Sequence, residues 1–439
     1  MPVTSERTPA AGPSPKGLRI AIVSYYAPPQ PAVAAHRVLR LSRTLLAAGH
    51  EVHWVTLDER KLLERDQTLA DLVPAGVVRH GLGGPTLASL PAARNFVEKV
   101  LRTLYHKLPQ WLALPDKHVE WTFRLRRQLP KLAVQHGFDV VLMTCGPHGQ
   151  ILSIPQLRRA APKVRIVVDY RDLLTGNAWT SRDSSRVRQR LQAREMQMLS
   201  LADAVFVNSE EALASFQQHL GALPCPVRVM RNAADYGLAA EIDRRWPIAP
   251  LGEGCHLGFF GTIFPRRRMV PVLEAMAKLP PAVLRNTTLH IYCDARDSRQ
   301  LLEEDLLQVP EVVRTRVLRH DYLPFVEALR AMRWMSALVL VNGKETADNI
   351  FVPGKLYDYV MARRPILFVG NRGDAWRIVE AAAGAGRCYT YDEGEQFAAG
   401  IAALQQRPAD LPAAEDYGCE RTFAPLLDWL RALPVPGRA

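Results

Sequence analysis

Short apolar segments alternate with amphipathic helical patterns along nearly the whole chain. The first apolar segment, Leu18–Ser24, is followed by a helical pattern over 34–48, a stop at Gly49 and a second apolar segment at Glu51–Thr56. Strands joined through a helix lie parallel, and helices then cover both faces of the sheet. The alternation therefore predicts an α/β fold built on parallel sheets.

This alternation is interrupted once, by a stretch at 234–254 that contains Pro247 and Pro250 and is predicted to be irregular. On either side the pattern predicts a doubly wound, Rossmann-like domain, and ligands of such sheets bind beyond the carboxyl ends of the strands. An amphipathic helical pattern over 420–433 is predicted to end the chain. The predicted parts are a disordered leader at 1–16, domains at 17–225 and 226–415, and a C-terminal helix with its tail at 416–439.

The composition is that of an ordinary globular protein, with 48% hydrophobic and 23% charged residues in a chain of 439. Six scattered cysteines contain no C-x-x-C pair, which argues against a zinc module or a disulfide framework and fits a reducing, cytoplasmic compartment. No apolar run approaches the roughly 18–20 residues that span a bilayer. We therefore expect a cytoplasmic protein.

Basic residues exceed acidic ones by 56 to 44, a net charge of +12. Such an excess suits nucleic acid, an anionic membrane or an anionic small substrate, but no nucleic-acid-binding pattern is present. Between 111 and 131, apolar residues such as Trp111 and Phe123 alternate with Arg126, Arg127 and Lys131. That segment suits peripheral contact with an anionic inner membrane, or a core-packing helix with a solvated basic face.

In the second half, two motifs carry positive charge at strand ends and helix starts. A strand ends at Phe260-Gly261-Thr262, where a glycine permits close approach of a ligand, and Arg266–Arg268 follow directly. Gly354-Lys355 opens a helix, which is a ready anion site, and Asp358 lies one turn further on. Either motif could equally be a solvated surface feature, the second being a weak surface ion pair.

In the first half, polar side chains follow three predicted strands. They are Gln30, His36 and Arg37 at and after a proline-rich loop, His148 in the turn Gly146–Gly149, and the pair Arg171-Asp172. Loop residues at the carboxyl ends of strands are common binding and catalytic positions. A histidine displayed at the surface and an Arg–Asp pair that braces its loop are the structural alternatives.

Nine segments in order resemble the retaining, GT-B-fold glycosyltransferases of family four, in the branch used for bacterial surface polysaccharides. The resemblance covers nearly the whole chain from about Leu18. It rests on SYYAPPQPAVAAHR (24–37), AAGHEVHWVT (47–56), LPDKHVEW (114–121), TCGPHG (144–149), VVDYRDLLT (167–175), ADAVFVNSE (202–210), VRVMRNAAD (227–235), GFFGTIFPRRRMVPVLEAM (258–276) and FVPGKLYDYVMARRPIL (351–367).

The resemblance implies two domains facing a cleft, the second holding a nucleotide-sugar and the first a glycan or lipid-linked acceptor. Arg267 then stands at the position of the family's phosphate-binding lysine, and Thr262 at that of its companion arginine. Asp358 matches the glutamate that binds the donor's ribose. The donor-binding set implied in this way is Gly261, Thr262, Arg266, Arg268, Asn349, Gly354 and Asp358, with Arg267 and Lys355 at the diphosphate.

The family's other glutamate falls on Ile350, and Glu345, Asp348 or Asn349 would have to substitute for it. On the acceptor side, Asp172 is interpreted as orienting the acceptor or accepting its proton, and His148 is assigned a catalytic part. Gln30, His36, Arg37 and Arg171 are interpreted as acceptor contacts.

The resemblance also implies retention, with the leaving phosphate taking the acceptor's proton. No cluster in the sequence looks like a metal site and no Asp-x-Asp occurs in the presumed cleft, so no metal or other cofactor is expected. The last helix is expected to return to the first domain.

Two other functions stay open. Ile350 and Thr262 depart from the family pattern, which favours a catalytically degenerate nucleotide-sugar-binding subunit. A nucleotide-sugar epimerase of the same architecture would need acid and base groups clustered at the donor sugar, and the sequence shows no such cluster.

Overall fold

Parallel strands form two separate sheets, one in each half of the chain. The structure is a computed structural model and describes residues 17–90, 99–100, 102–105, 114–177, 185–247, 251–293, 296–383, 387–404 and 409–433. The predicted leader and the last residues of the tail lie outside these ranges, as do Trp111 and Leu112. Among the described helices, none is both long enough and apolar enough to cross a membrane.

The first sheet has seven strands in the order β3-β2-β1-β4-β5-β6-β7, and the second has six in the order β10-β9-β8-β11-β12-β13. All neighbouring strands within each sheet are parallel. The strands are β1 Arg19–Val23, β2 Glu51–Thr56, β3 Val77–Gly81, β4 Val140–Cys145, β5 Arg165–Tyr170, β6 Ala204–Val207, β7 Val227–Val229, β8 Cys255–Phe260, β9 Thr287–Tyr292, β10 Val317–His320, β11 Ala337–Val341, β12 Ile366–Val369 and β13 Cys388–Tyr389.

Helices alternate with these strands, so that the prediction of two doubly wound α/β domains is confirmed. The described helices are α1 Val33–Ala47, α2 Gln67–Ala70, α3 Val119–His136, α4 Ile154–Ala160, α5 Ser185–Leu199, α6 Glu210–Leu220, α7 Tyr236–Arg245, α8 Val270–Ala277, α9 Pro281–Asn286, α10 Arg296–Leu306, α11 Glu311–Arg314, α12 Phe325–Trp334, α13 Lys355–Ala362, α14 Asp374–Ala383, α15 Gly394–Ala402, α16 Cys419–Thr422 and α17 Ala424–Arg431.

Two sequence-based expectations about the connection between the halves need correction. Strand β7 pairs with β6 in the first sheet, so the boundary predicted at residue 226 is too early. The stretch 234–254 is not irregular throughout, because it contains α7. The side chain of Asp235 accepts a hydrogen bond from the backbone N–H of Leu238 at 2.7 Å and caps this helix, whose Ile242 is fully buried.

The two halves share an apolar core and several ion pairs. Ala35 and Leu39 of α1 pack in one cluster with Phe325, Leu329 and Val360 of the second half. Ion pairs also join the halves, with Arg231 2.7 Å from Asp374 and Arg377 2.6 Å from Glu211. The edge of α1 that faces the second half is therefore fixed against it.

The C-terminal helices return to the first half. Phe423, Leu426, Leu427 and Leu430 are buried in the cluster that contains Leu41 of α1. The pattern over 420–433 forms two short helices rather than one, and Pro425 lies in the first turn of the second, where a missing N–H costs nothing.

Candidate active site

The end of β8 lies beside the first residue of α13. Gly261 has a φ of 116°, a backbone conformation that side chains other than hydrogen rarely tolerate. A Cβ atom on Gly261 would lie 3.8 Å from Nζ of Lys355, the first residue of α13. The sequence-predicted pair Gly261 and Lys355 is thus brought together.

The ammonium of Lys355 lies over an aromatic ring rather than in solvent. Its Nζ is 3.7 Å from the centre of the Phe259 ring, and the ring face favours the charged form. Burial, followed by the nearby charge of Arg267, nevertheless lowers the pKa of Lys355 to about 7. A bound anion would offset both effects and draw a proton to this amine.

The three consecutive arginines after β8 point to different partners. Arg268 pairs with buried Asp305 at 2.6 Å and donates to the backbone carbonyl of Leu301 at 3.0 Å, so it braces α10 and does not reach the cleft. Arg266 is exposed and lies 3.4 Å from buried Asp348. The donor-binding role expected of Arg268 is therefore not supported by its position.

Arg267 interacts with charges from both halves of the chain. Burial lowers the pKa of its guanidinium, and the carboxylates of Asp348 and Asp172 act in the opposite direction. Its charge also acts on Lys355. Arg267 and Lys355 of the second half therefore share one region with Asp172 of the first.

On the first-half side, the loops after β4 and β5 brace each other. Arg171 donates from Nε to the carbonyl of Cys145 at 3.2 Å and from Nη2 to that of Gly146 at 2.5 Å, which makes it a support of the β4 loop. Nε2 of His148 lies 2.7 Å from the carbonyl oxygen of Asp172 and donates to it. In the neutral ring Nδ1 is then the basic nitrogen. The carboxylate of Asp172 is exposed.

Two cavities border these residues. A cavity of about 820 Å³ is lined by His148, the loop from Leu173 to Gly176, Arg188 and His219, and by Ile350 from the second half. A smaller one of about 80 Å³ is lined by Gly261, Lys355, Asp358, Tyr292 and Phe325, with His36 of α1. Both lie between the two halves.

Asp358 and His36 line the smaller cavity, and each packs against a residue of the other half of the chain. Asp358 forms a buried ion pair with Arg40 of α1, so its carboxylate is engaged by the first half. The ring of His36 lies 4.0 Å from that of Phe325, and burial lowers its pKa to about 4. His36 is therefore neutral at physiological pH.

Arg37 does not point into the cleft, contrary to its expected acceptor role. All five of its N–H groups are used within the first half and the connection. It forms a bidentate pair with buried Asp169 at 2.6 and 2.8 Å and donates to the carbonyls of Met230 and Arg231 and to the side chain of Asn232. Its position supports a structural role.

The other four residues predicted to contact the donor or the acceptor lie at separate places. Gln30 accepts a hydrogen bond from Ala27 at 3.1 Å and lines a separate cavity near Asp58, away from Lys355. Asn349 donates to the carbonyl of Arg372 at 3.0 Å and is largely buried. A Cβ on Gly354 would lie 2.9 Å from a methyl group of Val33, and Thr262 is partly exposed beside Gly261.

Three residues near the cations were not predicted from the sequence. Phe259 lies beneath Lys355, Tyr391 interacts with Asp348 and Arg267, and Arg40 pairs with Asp358. Burial raises the pKa of Tyr391 to about 12. Phe259 precedes the glycine motif by two residues and could have been inferred from strand alternation, whereas the other two come from elements distant in sequence.

The family model described as Glycosyltransferase Family 4 matches residues 34–237, which contain α1, His148, Arg171 and Asp172. This segment of the chain is therefore similar to the family 4 glycosyltransferases. A comparison with curated proteins finds no match.

Solved structures show a likeness in fold over both halves of the chain. The α,α-trehalose-phosphate synthase (UDP-forming) of Burkholderia xenovorans, in complex with glucose-6-phosphate, is 14% identical with a TM-score of 0.62, over 94% of this chain and 100% of that one. HepE of Anabaena, in complex with UDP and glucose, is 12% identical with a TM-score of 0.59, over 95% and 100%. Sucrose-phosphate synthase of Thermosynechococcus elongatus is 14% identical with a TM-score of 0.54, over 93% and 94%.

At these identities the solved structures establish the fold, which is the GT-B arrangement expected from the sequence. The match of residues 34–237 to the family 4 model identifies the protein as an enzyme of the glycosyltransferase type.

Proposed function

We propose that this glycosyltransferase transfers a sugar from a nucleotide-diphosphate sugar to a glycan or lipid-linked acceptor in bacterial polysaccharide biosynthesis, with retention. The observation that carries the proposal is the convergence of Arg267 and Lys355 at the glycine that ends β8, opposite Asp172 of the first half. Two cations at a close-approach glycine suit a diphosphate. UDP is the first nucleotide to test, because solved relatives are described with UDP.

In the proposed reaction the bond between the anomeric carbon and the diphosphate oxygen breaks, and its electron pair stays on the phosphate. Arg267 and Lys355 stabilise the charge that develops there. An acceptor hydroxyl oxygen forms the new bond to the anomeric carbon on the same face, and its proton passes to the leaving phosphate. Asp172 and His148 would orient that hydroxyl, and the scheme uses no metal or other cofactor.

The larger cavity is the proposed acceptor site. Its volume of about 820 Å³ lies in the range of small-molecule sites, and the loop that follows Asp172 forms part of its wall. Ile350 adds an apolar contact from the second half. Solved relatives are described with glucose or glucose-6-phosphate, which makes phosphorylated sugars a useful control set of acceptors.

We further propose that the enzyme works in the cytoplasm, with α3 facing the anionic inner membrane. Phe123 is 59% exposed on this helix, and Arg126, Arg127 and Lys131 are exposed beside it. Trp121 is fully buried and belongs to the core rather than to this face. Co-sedimentation with anionic vesicles at low salt tests the idea, and no binding there would contradict it.

The reaction is tested by incubating the protein with a panel of UDP- and GDP-sugars and measuring free nucleoside diphosphate with and without acceptor extracts. We expect release by the wild type and release slower by about 10²–10³-fold with Arg267→Ala or Lys355→Ala. NMR of the glycosidic product then reports retention or inversion. Tight donor binding without turnover, with acceptor present, would contradict transfer and favour the nucleotide-sugar-binding subunit.

A further inference from the structure

Three histidines from distant parts of the sequence form a compact group on the first sheet. His53 is in β2, His80 in the edge strand β3, and His136 is the last residue of α3. The ring centres are 5.2 Å apart for His53 and His80, 5.8 Å for His53 and His136, and 4.4 Å for His80 and His136. Each ring is therefore a neighbour of both others.

One potential ligand atom of each ring lies within 4.8 Å of the other two, and the described residues contain no second His, Cys, Asp or Glu group this close. Tetrahedral Zn²⁺ with Zn–N bonds of about 2.0–2.1 Å holds its ligand nitrogens about 3.4 Å apart. On binding an ion, the ligand atoms would therefore have to close from within 4.8 Å to about 3.4 Å. Three imidazoles and a water complete a common zinc coordination.

A carboxylate orients the first of these rings. Nε2 of His53 donates to Glu51 at 2.8 Å, so Nδ1 carries the lone pair, and it lies 2.9 Å from Nε2 of His80. Metal-ligating histidines are usually oriented by such a carboxylate, which fixes the tautomer and raises ligand basicity. Glu51 is in turn bonded by Arg19 at 3.0 Å.

The three rings can be reached by an ion from the surface. Neutral imidazole is a good ligand for divalent transition metals. His53 is buried, whereas His80 and His136 are only partly buried, which leaves a route for an ion from the surface.

We propose that His53, His80 and His136 bind one zinc-type divalent metal ion, with Glu51 as the positioning residue for His53. The group lies on the face of the first sheet that α3 covers, where Arg19 of β1 donates to the carbonyl of His136 at 3.1 Å. None of the three histidines lines either cavity between the halves. The ion would tie β2, β3 and the end of α3 together.

The second sheet supplies a matched control. His256, His290 and His320 form a row in which Nδ1 of each ring lies 3.0 Å from Nε2 of the next. Both ring nitrogens of His290 contact its two neighbours in the row. The three rings therefore do not surround one position where an ion could bind. Both sheets thus carry histidines on neighbouring strands, but only the group that His136 of α3 completes converges.

The test uses the tag-free full-length protein, stripped with a chelator and dialysed, with Zn²⁺ as the probe. We expect one bound Zn²⁺ per chain by elemental analysis after desalting, and a rise in Tm on adding Zn²⁺. His80→Gln and His136→Gln should each weaken binding more than about 100-fold by calorimetry, and Glu51→Gln about 10–100-fold. His290→Gln should bind as the wild type does.

Failure of the proposal is distinct from failure of the proposed function, because sugar-nucleotide turnover should be the same in His80→Gln and in the wild type. That activity also shows that the variant folds. The site would be overturned if the wild type retained no Zn²⁺, or if His80→Gln and His136→Gln bound Zn²⁺ as tightly as the wild type does. The three rings would then serve only as aromatic packing around Phe138.

Discussion

The consecutive arginines after β8 differ in role although they are identical in type. Arg267 faces Lys355 and Asp172, Arg266 sits at the surface, and Arg268 braces Asp305. From the sequence motifs, all three were predicted to contact the donor, because three consecutive arginines in a loop do not indicate where each side chain points. Only packing against α10 separates them.

We predict a graded response to substitution of these arginines. Arg267→Ala should lower kcat by about 10²–10³-fold, the usual effect of removing a fixed donor to developing charge. Arg266→Ala should change kcat less than about twofold, since surface ion pairs contribute little. Steady-state release of nucleoside diphosphate measures both, and equal losses would show that the loop acts only through its net charge.

Lys355 gives the donor site a pH dependence. The pKa of the free amine is about 7, and a bound diphosphate favours the charged form, so nucleotide binding takes up a proton. Affinity should therefore be full below pH 7 and fall above it, by about fivefold between pH 7 and pH 8. Calorimetric titration with UDP measures this.

Lys355→Arg is the matched control, because a guanidinium stays charged and should flatten the profile from pH 6 to pH 9. An unchanged slope in Lys355→Arg would assign the proton to another group.

At the scale of single elements, α1 carries the contacts that hold the first half together and join it to the second. Arg37 reaches β5 and the connection after β7, and Arg40 reaches Asp358 of α13. Asp169 is fully buried and Arg37 is 2% exposed. Removing one partner of such a pair leaves an unpaired buried charge, which costs about 3–5 kcal/mol.

Arg37→Met should therefore lower the free energy of unfolding by about 3–5 kcal/mol in urea titrations. Arg43→Met, which breaks partly exposed pairs with Asp235 and Glu241, should lower it by only about 1 kcal/mol. Loss of transfer activity in Arg37→Met without loss of stability would restore Arg37 to the acceptor site.

The elements themselves could largely be predicted from the sequence, since apolar strands and Gly-closed helices are local signals. The helix α7 could not, because Pro247 and Pro250 dominate the composition around it, and the strand β7 gives no sign of which sheet it joins. The side-chain partners could not be predicted for a related reason. Asp358, expected at a ribose, pairs with Arg40, which is far away in sequence.

The same limit applies to the three histidines of the first sheet. His53, His80 and His136 have no ligand spacing of the kind that marks a zinc module in sequence. Parallel pairing of β2 with β3 and the end of α3 bring them together. Long-range topology is what a single sequence does not contain.

In the whole molecule, the end of the chain stabilises its beginning. Leu430 of α17 is 2% exposed and packs in one cluster with Ile20 of β1, Trp54 of β2 and Leu41 of α1. All seven strands of the first sheet precede the second half in sequence. The apolar cluster on one face of that sheet is nevertheless incomplete until the last helix packs against it. The two halves should not behave as independent folding units.

Leu430→Ala should therefore destabilise the first half, by about 2–5 kcal/mol for a buried leucine. Hydrogen exchange followed by mass spectrometry should show faster exchange in β1 and β2, although the substitution lies near the other end of the chain. Arg431→Ala is the matched control, because this side chain is exposed and pairs only weakly with Asp428 at 2.8 Å. If faster exchange were confined to peptides of α17, this helix would not stabilise the first half. If faster exchange also reached β1 and β2, the last helix would belong to the folding unit of the first sheet.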